Sequence, residues 1–201
     1  MRLILLLLAS CYHAPPQAPE RREEPTYMMI TPGIGQCTAW GIDDSHVITA
    51  GHCCHEEGEY TLISSFHRHV KATVVRFLDE DYEDRTPTDV CLMRTYSPVQ
   101  HMSLATEMPQ IDAPMAFVGY PRGEWVHSTG FYIGDVDGPF QNWNNYAFTA
   151  PCDKGASGSA VFTDAGVFGV LVRLGFTGED VLPGAMGCIA SPLSQIVEIL
   201  D

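Results

Sequence analysis

Positive charge is scarce in this chain. Its 201 residues hold 11 Lys and Arg against 25 Asp and Glu, a formal net charge of −14 at pH 7. Nucleic acid and anionic membrane surfaces would repel such a chain, so neither is expected as a partner. The acidity serves solubility. Charged residues of either sign make up only 18% of the chain and hydrophobic residues 45%. That is enough apolar material for a real core in one domain or two small ones. Long helical patterns are also in short supply. The 18 Gly and 14 Pro suit many short strands and turns. The apolar run at the start, Leu3 to Leu8, is too short to cross a bilayer.

That run follows Met1-Arg2 and precedes the small Ala9-Ser10, the pattern of a secretory signal peptide over residues 1–10. Leu8-Ala9-Ser10-Cys11 is similar to a bacterial lipobox, in which cleavage leaves Cys11 as a lipid-bearing N-terminus. An ordinary signal peptide with an incidental Cys11 is the alternative. Residues 11–28 are Pro-rich, with Pro15, Pro16, Pro19 and Pro25, and read as an extended tether. Lipid on Cys11 would anchor the domain without a transmembrane helix.

Three stretches carry chemistry. In Gly155-Ala156-Ser157-Gly158-Ser159 a serine is framed by glycines. Such a turn tolerates unusual dihedrals, leaves room for a substrate, and can point the N–H groups of Gly155 and Ser157 at a developing oxyanion. In Val47-Ile48-Thr49-Ala50-Gly51-His52-Cys53 an apolar strand runs into a histidine. In Thr88-Asp89-Val90-Cys91-Leu92-Met93 an aspartate stands at the mouth of another apolar strand. A serine hydroxyl needs a base to remove its proton, and a buried carboxylate orients that base. The order His, Asp, Ser is one of the known orders for this set. Ser159 lacks the Gly-x-Ser-Gly frame. The rival aspartates Asp81 and Asp84 are not followed by an apolar strand. His55, His67, His69, His101 and His127 lack the neighbours that mark His52.

On these residues the chain resembles the trypsin/chymotrypsin-type serine peptidases over roughly Ile34 to Asp201. Most members have Ala in place of Gly51. The resemblance implies an all-β fold: two six-stranded antiparallel barrels with a short C-terminal helix. Residues 29–95 would form the first barrel, 96–114 the connection, and 115–201 the second barrel with its helix. The helix is expected to start at Ser191-Pro192, with a serine cap and a proline in the first turn. The resemblance also implies His52 as general base, Asp89 as its orienting group, Ser157 as nucleophile, and Gly155 and Ser157 as oxyanion hole. No Arg/Lys-Ile-Val-Gly-Gly activation sequence is present, and Ala156 stands where zymogen-activated members carry an Asp. An enzyme that forms its oxyanion hole without cleavage is therefore expected. The spacings between the three residues are short, as in a compact member with trimmed loops.

The primary pocket, by the same resemblance, falls at Pro151, Val172, Arg173, Leu174 and Gly184. No Asp lies at its floor, so preference for Arg or Lys at the cut is not expected. Glutamyl-specific relatives carry a His near Leu171, which is absent here. A small or apolar residue at the cut is the reading taken, with Arg173 recruiting an acidic one as the alternative.

Of the seven Cys, six remain if Cys11 carries lipid, and an even number in an exported chain reads as disulfides. The resemblance implies a Cys37–Cys53 bridge. The other four allow three pairings, of which Cys54–Cys91 with Cys152–Cys188 is favoured. A metal site from Cys53, Cys54, His55, His67 and His69 is disfavoured, because zinc ligands usually come in repeated close pairs and adjacent side chains point in alternating directions. The acidic run Asp79 to Asp84 lacks the oxygen spacing and glycine of a known calcium loop. It reads as a solvated loop, or as a negative rim that favours basic residues upstream of the cut.

The function expected is an exported serine endopeptidase, periplasmic or extracellular, acting on protein or peptide as a monomer without cofactor or metal. Its contact with a membrane would come only through lipid on Cys11. A catalytically silent module that kept the double barrel is the alternative, and the complete His, Asp and Ser set argues against it. An α/β-hydrolase esterase would place Ser before His and alternate strands with helices. Replacing Cys11 by Ser is expected to move the protein from the membrane to the soluble fraction; unchanged partitioning would refute the lipobox.

Overall fold

A computed structural model describes residues 25–31, 33, 35–54, 58–78, 89–136, 145–174 and 187–201. The signal segment, Cys11, the acidic run Asp79 to Asp84 and Gly184 lie outside the described residues.

The first barrel is built from β1 (Thr26–Thr31), β2 (Gly35–Gly41), β3 (His46–Thr49), β4 (Glu59–Ser64), β5 (His69–Leu78) and β6 (Val90–Thr95). They close antiparallel in the order β1-β2-β3-β6-β5-β4. The second holds β7 (Pro114–Gly119), β8 (Val126–Val136), β9 (Asn145–Thr149), β10 (Ala160–Thr163), β11 (Gly166–Leu174) and β12 (Gly187–Pro192). Its order is β10-β11-β12-β9-β8-β7. A single helix, α1 (Leu193–Leu200), follows. Closure leaves neither sheet with a free edge.

Period-2 patterning explains the strands. In β4, Tyr60 and Leu62 are buried while Glu59, Thr61 and Ile63 are not. In β1, Tyr27, Met29 and Thr31 point inward between Met28 and Ile30. This corrects the tether boundary. β1 begins at Thr26, inside the segment read as tether, because Tyr27 and Met29 are core residues and β1 pairs with both β2 and β4 to close the barrel. Prolines nearby hid that alternation, yet Pro25 contributes its carbonyl to Gly41 N–H at 2.8 Å.

The helix start is also corrected. Ser191 is the fifth residue of β12, paired with Val170, and Pro192 occupies the cap position without a side-chain hydrogen bond. Ser191 is consumed by the sheet and points its hydroxyl at the Asp89 carbonyl, 3.5 Å away. α1 buries Gln195, Ile196 and Ile199 and packs against β5, β6, β11 and β12, so it seals both barrels at once.

One apolar cluster fills the first barrel around Met29, Trp40, Tyr60 and Leu62. It continues through Val118, Ala160 and Val170 across the seam between the barrels. The second core is aromatic: Phe117 and Phe148 meet edge-on at 6.3 Å, and Tyr132 meets Tyr146 at 5.8 Å. Burial, with a hydrogen bond to Asp135, raises the Tyr132 phenol well above its ordinary value. The connection between the barrels is stitched to both, through Met102 N–H on the Gly41 carbonyl and Ala105 N–H on the Val167 carbonyl.

Three bridges join Cys37–Cys53, Cys54–Cys91 and Cys152–Cys188. Cys53 and Cys54 are adjacent but reach different strands, β2 and β6. Closing a loop of this size stabilises by about 3 kcal/mol in the chain-entropy picture.

Candidate active site

The strand β3 delivers Thr49 and Ala50, and a short 3-10 turn, Gly51–Cys53, carries His52. The turn is closed by Cys53 N–H on the Ala50 carbonyl and Cys54 N–H on the Gly51 carbonyl. The bridges from Cys53 and Cys54 then tie it to β2 and β6. Little backbone freedom is left to His52.

Asp89 ends the approach to β6, with the buried run Val90 to Met93 behind it. Its side chain is only 4% exposed, against 39% for His52. One carboxylate oxygen accepts the His52 backbone N–H at 2.7 Å, and the other lies 2.7 Å from Nδ1. An ionised carboxylate can only accept, so the ring proton sits on Nδ1. In the neutral ring that tautomer makes Nε2 the accepting nitrogen.

The turn from Gly155 to Ser159 depends on its glycines. Gly155 has φ +93° and Gly158 φ +86°, both in the region that side chains avoid. A Cβ on Gly158 would collide with the Thr38 carbonyl and the Thr49 hydroxyl. The turn therefore leans directly on β2 and on the end of β3, three residues before His52. Thr38 N–H donates to the Ser157 carbonyl at 2.7 Å across the same seam.

The N–H groups of this turn divide into two sets. Ala156 N–H donates to Asp153, Gly158 N–H to Leu171 and Ser159 N–H to Ala156. Those of Gly155 and Ser157 have no partner among the described residues. A trans peptide points its N–H away from its own carbonyl. The Lys154 carbonyl is held by Arg122 N–H at 2.8 Å and the Ala156 carbonyl by Ser159 N–H at 3.0 Å. The two remaining N–H groups are thus turned away from the protein's own acceptors. Pairs of oriented backbone N–H groups of this kind bind anions.

The rivals are occupied elsewhere. Ser159 is fully buried against Gly119, whereas Ser157 is partly exposed. His46 and His101 face Asp43 and Asp44, and His127 stacks on Phe162. His67 and His69 are exposed, and His67 has φ +59°. His55, Asp81 and Asp84 lie outside the described residues. Cys37, His52 and Cys53 place ligand-type atoms within 4.8 Å of one another. Both sulfurs there are spent in one disulfide, which leaves a single nitrogen donor.

Of the residues read as substrate pocket, Pro151 is exposed and its carbonyl accepts from Ser128. Val172 is buried on β11. Arg173 and Leu174 pair with Ile189 and Cys188 of β12. A cavity of about 260 Å³ opens between the β4–β5 turn and the Tyr120–Trp125 segment, lined among others by Met28, Ile63 and Phe66.

Sequence reasoning missed Thr38 and Arg122. Thr38 looks like any β-branched strand residue, and Pro121-Arg122-Gly123 signals only a turn. Neither pattern says where a hydroxyl or an N–H ends up.

A family model described as a trypsin-like peptidase domain matches residues 35–170. Among solved structures, the active form of the Rv3671c protease from M. tuberculosis is similar at 18% identity and TM-score 0.69, covering 89% of this chain and 81% of that one. The inactive form of the same protease gives 18% identity and TM-score 0.68, covering 89% and 88%. The serine endoprotease from Yersinia pestis gives 16% and 0.70, covering 92% and 66%. No curated protein matches the chain in sequence.

Replacing Asp89 by Asn keeps the shape but presents a donor to Nδ1. Turnover of an activated peptide substrate is expected to fall by about 10³- to 10⁴-fold with the fold intact; a loss below about tenfold would separate Asp89 from the chemistry.

Proposed function

Because the chain belongs to the trypsin-like peptidase family, we propose that it is a serine endopeptidase that works through an acyl-enzyme on Ser157. The observation that carries this reading is the grip of the buried Asp89 carboxylate on both the backbone and the ring of His52. Ser157 Oγ attacks a peptide carbonyl while His52 Nε2 takes its proton. The N–H groups of Gly155 and Ser157 receive the oxyanion. The imidazolium, steadied by Asp89, returns the proton to the leaving amine, and water then releases the acyl group by the same steps. No cofactor enters the scheme.

The enzyme acts without zymogen cleavage. Support comes from Ala156, which cannot form an activation ion pair, and from the Lys154 carbonyl being held outward by Arg122. Three disulfides mark an oxidising, extracytoplasmic location. Within that location, the domain is a monomer tethered by lipid on Cys11, with protein or peptide as its substrate.

Specificity follows from the walls of the cleft. The family resemblance assigns Pro151, Val172, Arg173, Leu174 and Gly184 to the pocket for the residue at the cut. The Cys152–Cys188 bridge runs from the residue after Pro151 to the partner of Leu174 on β12, so it limits depth there. A small or apolar residue at the cut is favoured, with an acidic one recruited by Arg173 as the alternative.

A fluorophosphonate probe is expected to label the parent domain and not Ser157→Ala; a folded parent that stays unlabelled would overturn the mechanism. On a peptide library, cuts after Ala, Gly or Ser are expected to dominate, and a majority after Arg or Lys would discard the pocket assignment.

A further inference from the structure

Gly155 is held by groups that belong to neither the nucleophile turn nor its strand. On its N-terminal side, the Lys154 carbonyl is fixed by Arg122 N–H. On its C-terminal side, the carbonyl of Gly155 itself accepts from Thr38 Oγ1 at 2.9 Å. That hydroxyl has a second contact: Tyr120 N–H donates to it at 2.9 Å. The Thr38 main chain is engaged as well. Its N–H donates to the Ser157 carbonyl, and its carbonyl accepts from Thr49 Oγ1 at 2.7 Å. Thr38 is wholly buried. One residue of the first barrel thus touches both peptides that follow the two oxyanion donors, and it reaches the strand end that leads to Arg122.

The arrangement is closely packed. A Cβ on Gly155 would approach the Tyr120 carbonyl to 2.8 Å and Arg122 N to 3.2 Å. Gln36 Nε2 donates to the same Tyr120 carbonyl at 2.7 Å. Arg122 is held in the left-handed region, φ +53°, with its guanidinium on the Asp153 carboxylate at 2.6 Å. Gly155 therefore sits between two fixed walls, the Tyr120–Arg122 turn and β2.

We propose that the Thr38 hydroxyl is a positioning group that holds the Gly155 peptide in the orientation the oxyanion hole requires, in a chain with no acidic residue at position 156 to do so by ion pairing. The inference rests on the acyl-transfer reading above. It assigns to Thr38 no contact with substrate. Rotation of the Gly155 carbonyl is prevented by a donor whose own position is fixed by Tyr120 N–H. Without that donor the Gly155–Ala156 peptide can turn, and the Lys154–Gly155 peptide, then held by Arg122 N–H alone, shifts its N–H off the developing charge. Ground-state binding through the rest of the cleft is untouched, so the loss falls on the transition state.

The test compares Thr38→Val, which is close in shape but has no hydroxyl, with Thr38→Ser, which keeps the hydroxyl and drops the methyl. All are full-length chains whose three disulfides and melting temperature are checked first. For Thr38→Val, kcat on a peptide amide is expected to fall about 10- to 100-fold with KM within about twofold. Affinity for a peptidyl trifluoromethyl ketone, which presents an oxyanion, should fall by the same factor. Thr38→Ser should recover most of both. If Thr38→Val does not fold, Thr38→Ala set against Thr38→Ser makes the same comparison. Equal kinetics in the hydroxyl-bearing and hydroxyl-free chains would overturn the proposal, as would a loss confined to KM. A parent enzyme that fails to react with a fluorophosphonate would instead overturn the acyl-transfer reading, so the two failures are told apart.

Discussion

The close approach of β2 to the nucleophile turn is the constraint on which the site depends. Thr38 N–H donates to the Ser157 carbonyl at 2.7 Å, and Gly158 has no space for a side chain between Thr38 and Thr49. His52 and Asp89 ride on one barrel and Ser157 on the other. Each barrel closes on itself through its own hydrogen bonds, so nothing in either ladder sets their relative position. That is set at the seam, by one glycine without a Cβ, one buried threonine, and the apolar residues Val118, Ala160 and Val170 around them.

The same logic governs His52. A histidine on a flexible loop would spend much of its time in the wrong rotamer, since ordering side chains and backbone has a steep entropic cost. Here its turn is fixed by disulfides from the two residues after it, Cys53 and Cys54. The ring is fixed by Asp89, which also holds the backbone. α1 completes the arrangement from outside by packing on β5, β6, β11 and β12. Rigidity is thus concentrated where a proton must move over a short distance, in line with the need of acyl transfer for preorganised groups.

Much of this was legible in the chain of letters. The apolar runs ahead of His52 and behind Asp89 read as strands and lie in β3 and β6, because a short apolar run is a local property of the sequence. The three segments stood out for different local reasons: an apolar strand runs into His52, another follows Asp89, and glycines frame Ser157. Two boundaries were misread for local reasons. β1 was hidden by the prolines before it, although its Tyr27 and Met29 are core residues. Ser191 imitates a helix cap but belongs to β12.

By itself the sequence determined the strand pattern, the chemistry of the three site residues and the excess of negative charge, all of which are written in local spacing and composition. Only the tertiary structure decided that Ser159 is buried and Ser157 is not. Only it decided that Thr38 meets Gly155, Tyr120, Ser157 and Thr49 and that the Lys154 carbonyl turns to Arg122. These are contacts between residues far apart in the chain. They exist because two closed barrels meet along one seam, and no local pattern encodes which side chains face each other there.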